Sequence, residues 1–276
     1  MIECVCLLNR KCLLIKTELS IVFESLSDRA RQVLGFIVDQ PRISVAELAS
    51  ACGISEVAVR SILRDLEKNG LYVRAYGGGI PGFHPEMLKR IAANDQLKLR
   101  LARAAADTIQ DGDDLMLVGG TTTSLMARYL YGKSNVKVIT NSTLLMQYAR
   151  TNGGVKFIFT GGDFRPELEE MLGPVTVREL RQFHVRTLFT GIDGFVPTQG
   201  FSANLPEVAE VVQTMHEQAD RTVVVTDSSK FLRTGFAAML PFKGVDLLIT
   251  DDGIRQEIVV RLEKMGIEVR VVESEA

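Results

Sequence analysis

The chain has 276 residues, 46% of them hydrophobic, and a net charge of −2 from 32 Lys/Arg against 34 Asp/Glu. That length accommodates one large core and a small satellite domain. The near-neutral balance excludes binding to nucleic acid or to an anionic membrane through bulk charge alone.

Residues 1–21 contain two apolar stretches, 5–8 and 13–15, interrupted by Arg10 and Lys11. Both are too short for a signal segment or a membrane span. Cys4, Cys6 and Cys12 fall here and only Cys52 follows. That spacing lacks the second pair of a zinc knuckle and gives no disulfide framework, so no metal is expected and a reducing cytoplasm fits.

A helix is predicted at about 27–40, with Ala30, Val33, Leu34, Ile37 and Val38 as its core stripe. Ser44 and Glu47 have the spacing of a capping box. After them Val45, Leu48, Ala49 and Cys52 recur at helical intervals until Gly53 turns the chain. Ser55 is placed to cap a third helix. Val59, Ile62, Leu63 and Leu66 form its apolar face, and Arg60, Arg64 and Lys68 form a basic stripe elsewhere on it. Residues 71–76 then alternate apolar and polar before Gly77, Gly78 and Gly79.

Three helices and a strand in this order predict a winged helix-turn-helix, whose third helix enters the major groove of DNA. A basic stripe is otherwise simply a solvated face. Residues 26–80 hold seven basic against six acidic side chains, so DNA affinity has to come from local charge placement and from two copies in an oligomer.

The breakers at 80–85 predict an interdomain linker. An alanine-rich helix at 96–109 follows, carrying Leu97, Leu101, Ala104, Ala105 and Thr108. Strands are predicted at 115–118, 136–140, 155–160, 187–192, 222–226, 247–250 and 268–272. Helices fall between most of them, at about 124–131, 142–150, 175–183, 206–219 and 254–265. Continuous apolar strands with helical crossovers imply a mainly parallel α/β sheet.

Five strands end on small polar residues: Thr140-Asn141, Thr160-Gly161, Thr190-Gly191, Thr226-Asp227 and Thr250-Asp251. A sixth runs into Gly119, Gly120, Thr121, Thr122 and Thr123. Ligands of open α/β sheets bind beyond the carboxyl ends of the strands, and this rim suits a polyhydroxylated one. Each residue alone is better explained as a turn former or cap, and it is the six together that favour a site. The segment from Gly120 to Ser124 leads into a helix and offers backbone N–H groups and hydroxyls to an anion. It lacks the G-K-[ST] of a Walker loop. Gly161-Gly162 allows either a second anion loop or an ordinary turn, and the turn is the preferred reading. Lys230 supplies a countercharge. Asp193, Glu207 and Glu210 are candidates for sugar hydroxyls, with helix-dipole pairing the alternative for the two glutamates. His84, His184 and His216 have no ligand spacing, and no catalytic residue or cofactor is expected.

The motifs L-E-K-N-G at 66–70, R-A-Y-G-G at 74–78, K-x-x-x-A from Lys98, G-T-T-T at 120–123, T-N-S at 140–142, G-G at 161–162, G-I-D-G at 191–194, D-S-S-K-F at 227–231 and T-D at 250–251 resemble, in order and spacing, those of DeoR-type bacterial repressors. The family's recognition helix usually runs T-I-R-R-D-L, where this chain has Ala58-Val59-Arg60-Ser61-Ile62-Leu63. The first Arg and the Leu are kept but the Thr, the second Arg and the Asp are not, and Arg64 offers a replacement charge one turn later, so the operator preference of the relatives does not carry over.

The resemblance implies a DNA-binding set of Ser55, Arg60, Ser61, Arg64, Lys68, Arg74 and Tyr76. It implies an effector set of Gly120, Thr121, Thr122, Thr123, Asn141, Asp193, Glu207 and Lys230. The fold expected is a small winged helix-turn-helix domain at 22–79, a linker at 80–95 and a larger α/β domain at 96–276 on the scaffold of ribose-5-phosphate isomerase and glucosamine-6-phosphate deaminase. Residues 1–21 have no counterpart and are expected to be disordered or untranslated, a later start requiring an alternative codon such as that of Val22. The function implied is a cytoplasmic, homo-oligomeric repressor of a carbohydrate operon, a dimer or tetramer that binds a double-stranded DNA operator and is released by a sugar phosphate. It would have no enzymatic turnover, no cofactor and no membrane. The alternatives are a phosphosugar isomerase or deaminase with an appended interaction domain, and an adaptor whose winged domain no longer binds DNA.

Overall fold

Three serines start the N-terminal helices of the computed structural model, which describes residues 26–40, 42–75 and 78–273. Ser27 accepts a hydrogen bond from the Ala30 N–H at the head of α1 (Asp28–Asp39). Ser44 and Glu47 complete a reciprocal capping box on α2 (Val45–Cys52), with distances of 3.2 and 2.8 Å. Gly53 ends that helix at φ 63°, a left-handed conformation that glycine adopts without steric cost. Ser55 accepts from the Ala58 N–H and opens α3 (Glu56–Lys68). Ala30, Val33, Leu34, Ile37, Leu48, Val59, Leu63 and Leu66 are buried, the stripes that helical periodicity predicts.

Strand β1 (Tyr72–Ala75) pairs antiparallel with β2 (Gly78–Pro81) to form the wing. A Cβ at Gly79 would lie 2.0 Å from the Tyr72 ring, so a side chain there would push the ring off the second strand. Exposure does not alternate along β1 as the sequence suggests. Tyr72 is buried and the next three residues are exposed, because a two-stranded ribbon is covered only at its base. Ile80 and Pro81 belong to the wing, and Pro85–Ala92 forms α4, capped by His84 and burying Met87, Leu88 and Ile91. The stretch 80–95 is therefore mostly strand and helix. Its Pro and Gly residues mark the turn between them, and Pro85 sits in the first helical turn, where its missing N–H costs nothing.

The chain divides into two compact units, Met1–Asp95 and Gln96–Ala276. In the second, α5 (Asp95–Ala106) precedes β3 (Asp114–Leu117), α6 (Thr121–Met126), β4 (Val136–Thr140), α7 (Met146–Ala149), β5 (Val155–Phe159), β6 (Asp163–Arg165), β7 (Glu170–Leu172), α8 (Pro174–Leu180) and β8 (Val185–Thr190). There follow β9 (Gly194–Val196), β10 (Gly200–Ala203), α9 (Pro206–Glu217), β11 (Ala219–Val225), β12 (Ala237–Pro241), β13 (Leu247–Asp251), α10 (Gln256–Lys264) and β14 (Glu268–Val272).

Seven strands form one parallel sheet in the order β14-β13-β11-β8-β3-β4-β5. Successive residues face opposite layers, so the central strands are apolar on both faces and their buried stretches, such as Leu115–Leu117, Val223–Val225 and Leu247–Ile249, read as continuous hydrophobic runs. Leu115, Leu117, Val136, Val138, Val223 and Ile249 pack with α5 and α6. Met116, Ile139, Leu188, Val224 and Leu248 pack with α8, α9 and α10.

Two small additions are not predicted from the sequence: the β6-β7 hairpin and an antiparallel sheet of order β12-β10-β9. Their strands, of three to five residues, are too short to display a period. Among the described residues no helix is long and apolar enough to cross a membrane.

Candidate functional site

On α3, Val59, Leu63 and Leu66 are buried while Ser55, Arg60, Ser61, Arg64 and Lys68 are exposed around its other side. The Arg60 guanidinium pairs with Glu56 one turn back at 3.1 Å, and Arg64 Nε donates to the Arg60 carbonyl at 3.3 Å. Arg74 on β1 reaches Glu67 on α3 at 2.9 Å, which pins the wing strand to the helix. Such exposed pairs contribute about 0–1 kcal/mol, so a phosphate or a base edge can displace either glutamate. A groove of about 750 Å³ runs between α3 and the wing, lined by Ser44, Val57, Arg60, Arg64, Tyr72 and Arg74. Six of the seven residues expected at DNA thus lie on this helix and wing, and Tyr76 lies outside the described residues, as does the leader at 1–21.

Burial pushes the Tyr72 hydroxyl above its ordinary pKa, against a smaller opposing effect of Arg74, so the ring acts as a neutral wall of the groove. Burial likewise raises the Cys52 thiol. The hydrogen bonds from Ser44 hold the Glu47 carboxyl below its usual range, which keeps the capping box charged.

In the second unit, the chain winds from β3 through β4 to β5 on one side and from β8 through β11 and β13 to β14 on the other. The loops after β3 and β8 therefore diverge, and it is at such a switch point, beyond the carboxyl ends of the strands, that open α/β sheets bind ligands. The neighbours β4, β3, β8 and β11 deliver Asn141, then Gly120, Thr121 and Thr122, then Asp193, and then Lys230 to that end.

Gly120 has φ 148° and ψ 152°, a region essentially closed to residues with a Cβ, and it caps α6 with no side chain of its own. Thr121 and Thr122 are partly exposed. Thr123 is buried, and its hydroxyl donates to the Val118 carbonyl at 2.8 Å and to the Gly120 carbonyl at 3.2 Å. It fixes the loop from beneath. Asn141, expected to line the pocket, is 1% exposed. Its amide oxygen accepts the Gly119 N–H at 2.9 Å, and its NH2 donates to the Met171 carbonyl at 3.1 Å and to Glu170 at 3.5 Å. All its polar atoms are engaged by the chain, so its role is to position the loop.

Lys230 lies on the 3-10 turn Ser228–Leu232. Asp251 accepts the Ser228 N–H and hydroxyl, each at 2.7 Å, and Phe231 packs on Phe195 with ring centroids 5.3 Å apart. The turn is held from both ends, and the Lys230 ammonium has no hydrogen bond or ion pair among the described residues. Asp193 is half-buried, with one carboxylate oxygen accepting the Asn204 N–H at 2.9 Å. Glu207 pairs with Arg165 of the β6-β7 hairpin at 3.4 Å and so ties that hairpin to the start of α9. The sequence gives no sign of Arg165 or Glu170, since their strands carry no readable pattern.

Several other polar strand ends serve the fold. Thr140 donates to the Leu117 carbonyl, Thr190 to the Gly191 carbonyl, and Asp227 accepts from Ser229. At Gly161 the anion is the chain's own: Glu179 accepts its N–H at 2.7 Å, and a Cβ at Gly162 would lie 2.0 Å from the Thr176 hydroxyl, so this is a packed turn. His84 is a helix cap, His184 pairs with Asp220, and His216 bonds Thr222. Among the described residues no group of three His, Cys, Asp or Glu side chains gathers to hold a metal.

Residues 93–252 match the DeoR C-terminal sensor domain, and residues 26–71 match a winged helix-turn-helix DNA-binding domain. A protein of Escherichia coli O157:H7 named for transcriptional repression of the aga operon is 32% identical over 252 residues, covering 89% of this chain and 94% of that one. The HTH-type transcriptional repressor GlcR of Bacillus subtilis is 27% identical over 90% of this chain and 97% of its own length. A solved ribose 5-phosphate isomerase A from Methanocaldococcus jannaschii is 20% identical over 50% of this chain and 55% of that one, with a TM-score of 0.36, too loose a likeness to argue from. The chain belongs to the DeoR family of transcriptional regulators, with a winged helix-turn-helix DNA-binding domain followed by a DeoR sensor domain.

Proposed function

We propose that this regulator represses a carbohydrate-metabolism operon in the cytoplasm and leaves its double-stranded DNA operator when a phosphorylated sugar binds at the switch point after β3 and β8. The observation that carries this reading is Lys230, an ammonium without a partner among the described residues, on a turn braced by Asp251 and Phe231. A phosphate there gains charge-assisted hydrogen bonds, roughly twice as strong as neutral ones. The backbone of Gly120 and the hydroxyls of Thr121 and Thr122 are the companion donors. Asp193 and Glu207 face the sugar hydroxyls, and Asn141 and Thr123 hold the loop in place.

Sensing without turnover is supported by the state of the carboxylates. Asp251 accepts hydrogen bonds from Ser228 of the neighbouring turn, Asp227 accepts from Ser229 of its own, and Glu207 is paired with Arg165, so each of these carboxylates is already engaged in holding the fold. Binding to DNA as a dimer or tetramer is supported by the balance of seven basic to six acidic residues at 26–80, since linking two weak modules multiplies affinity through effective concentration.

An electrophoretic shift with the DNA upstream of the chain's own coding sequence tests this reading. Retardation that a sugar phosphate reverses is the expected result. No retardation, together with isomerisation or deamination of a sugar phosphate, would overturn it in favour of an enzyme.

A further inference from the structure

Resting on the assignment of α3 as the recognition helix, we propose that Val57 reads the C5-methyl group of a thymine in the operator and is a specificity-determining residue of this chain. Eight positions of α3 are exposed, and seven of them carry Glu, Arg, Ser, Asp or Lys. The eighth is Val57, at 75% exposure. Isolated surface valines are common and need no explanation. The placement of this one is what matters.

At 100° per residue, Val57, Arg60, Ser61, Arg64 and Lys68 form one stripe, directly opposite the buried Val59, Leu63 and Leu66. Val57 stands at the N-terminal end of that stripe, and it is the N-terminal residues of a recognition helix that meet base edges. It also lines the groove that holds Arg60, Arg64 and Arg74. An apolar knob among cations on a DNA-facing surface matches the one apolar feature of the major-groove edge, the thymine methyl. Arg60 and Arg64 supply the phosphate or guanine contacts beside it. Ala58, Ser61 and Ile62 depart from the family's usual helix, so the chain needs its own means of discrimination, and Val57 is an exposed side chain that supplies one.

The test uses the full chain and the operator delimited by footprinting. Each thymine is replaced singly by deoxyuridine, which removes only the methyl group. For the wild type, one thymine per half-site should lose about fourfold in affinity, the value of one buried methyl. Val57→Ala should bind the thymine operator about fourfold per half-site more weakly and be insensitive to deoxyuridine at that same position only. Its melting temperature and effector binding should match the wild type, since Val57 is exposed. Equal sensitivity of wild type and Val57→Ala at every thymine, or no sensitivity in either, would overturn the proposal while leaving DNA binding intact. Loss of all DNA binding by the wild-type chain would instead remove the recognition-helix assignment and this proposal with it.

Discussion

Asn141 holds Gly119: its amide oxygen accepts the Gly119 N–H at 2.9 Å while its NH2 reaches the Met171 carbonyl at 3.1 Å. One buried side chain at the end of β4 thereby ties the loop after β3 to the β6-β7 hairpin. Glu170 of that hairpin lies so close that a Cβ at Gly119 would sit 2.2 Å from its Cγ. The glycine, the amide and the carboxylate together define the position of Gly120, Thr121 and Thr122.

Gly119→Ala should therefore displace Glu170 and break the Asn141 bridge, at a cost of about 1–3 kcal/mol for overpacking. Asn141→Ala should cost about 1–3 kcal/mol by leaving the Gly119 N–H and the Met171 carbonyl unsatisfied. Both variants should bind sugar phosphate more weakly in calorimetry and melt earlier, with the α3 surface and its DNA affinity preserved. Effector affinity equal to the wild type in both variants would separate this bridge from the site.

Arg60→Ala should weaken operator binding by about 1–3 kcal/mol per half-site if Arg60 pairs with a base, or lower the salt slope by about one if it meets a phosphate. Arg60 is exposed and off the buried face, so folding should be unaffected. Glu56→Gln, which frees Arg60 from its 3.1 Å partner, should tighten binding. Fluorescence anisotropy over a salt series measures both. An unchanged slope and affinity for Arg60→Ala would move that residue away from DNA.

Glu169 gives a pH prediction. Burial raises its carboxyl above the ordinary value of 4.5, partly offset by a hydrogen bond from Thr143. A raised carboxyl favours the protonated form in the fold. Its contribution is fully present below pH 4.5 and is lost as pH rises through the raised folded value. Glu169→Gln keeps an acceptor for Thr143 and removes the charge, so it should melt higher than the wild type at pH 7. The difference should vanish at pH 4. A Gln variant that melts lower than the wild type at pH 7 would contradict the assignment.

The elements legible in the sequence are those with a long period or a paired signal. Ser44 with Glu47, the 59/62/63/66 stripe and the valine-rich stretches at 136–140 and 268–272 each state their structure locally. The β6-β7 hairpin and the β12-β10-β9 sheet are set by tertiary contacts instead, such as the Phe195, Phe201 and Phe242 cluster with centroids 5.8–6.1 Å apart. Residue type marks Asn141 and Thr123 as polar positions at the strand ends, but only burial and bond partners show that they hydrogen-bond the loop after β3. The breakers at 80–85 mark a turn between two elements, and composition alone does not distinguish that from a linker.

Release from DNA by a single ligand class requires that the ligand favour the DNA-incompetent state. The most direct measurement is the anisotropy of labelled operator on the full chain, titrated with sugar phosphates and with the same sugars unphosphorylated, for wild type, Thr121→Ala and Lys230→Ala. A sugar phosphate should release wild-type protein while its free sugar does not, and Lys230→Ala should need at least tenfold more of it, the equivalent of losing one charge-assisted hydrogen bond of about 1.5–3 kcal/mol. Release by free sugar and sugar phosphate alike, unaffected by both substitutions, would contradict the account.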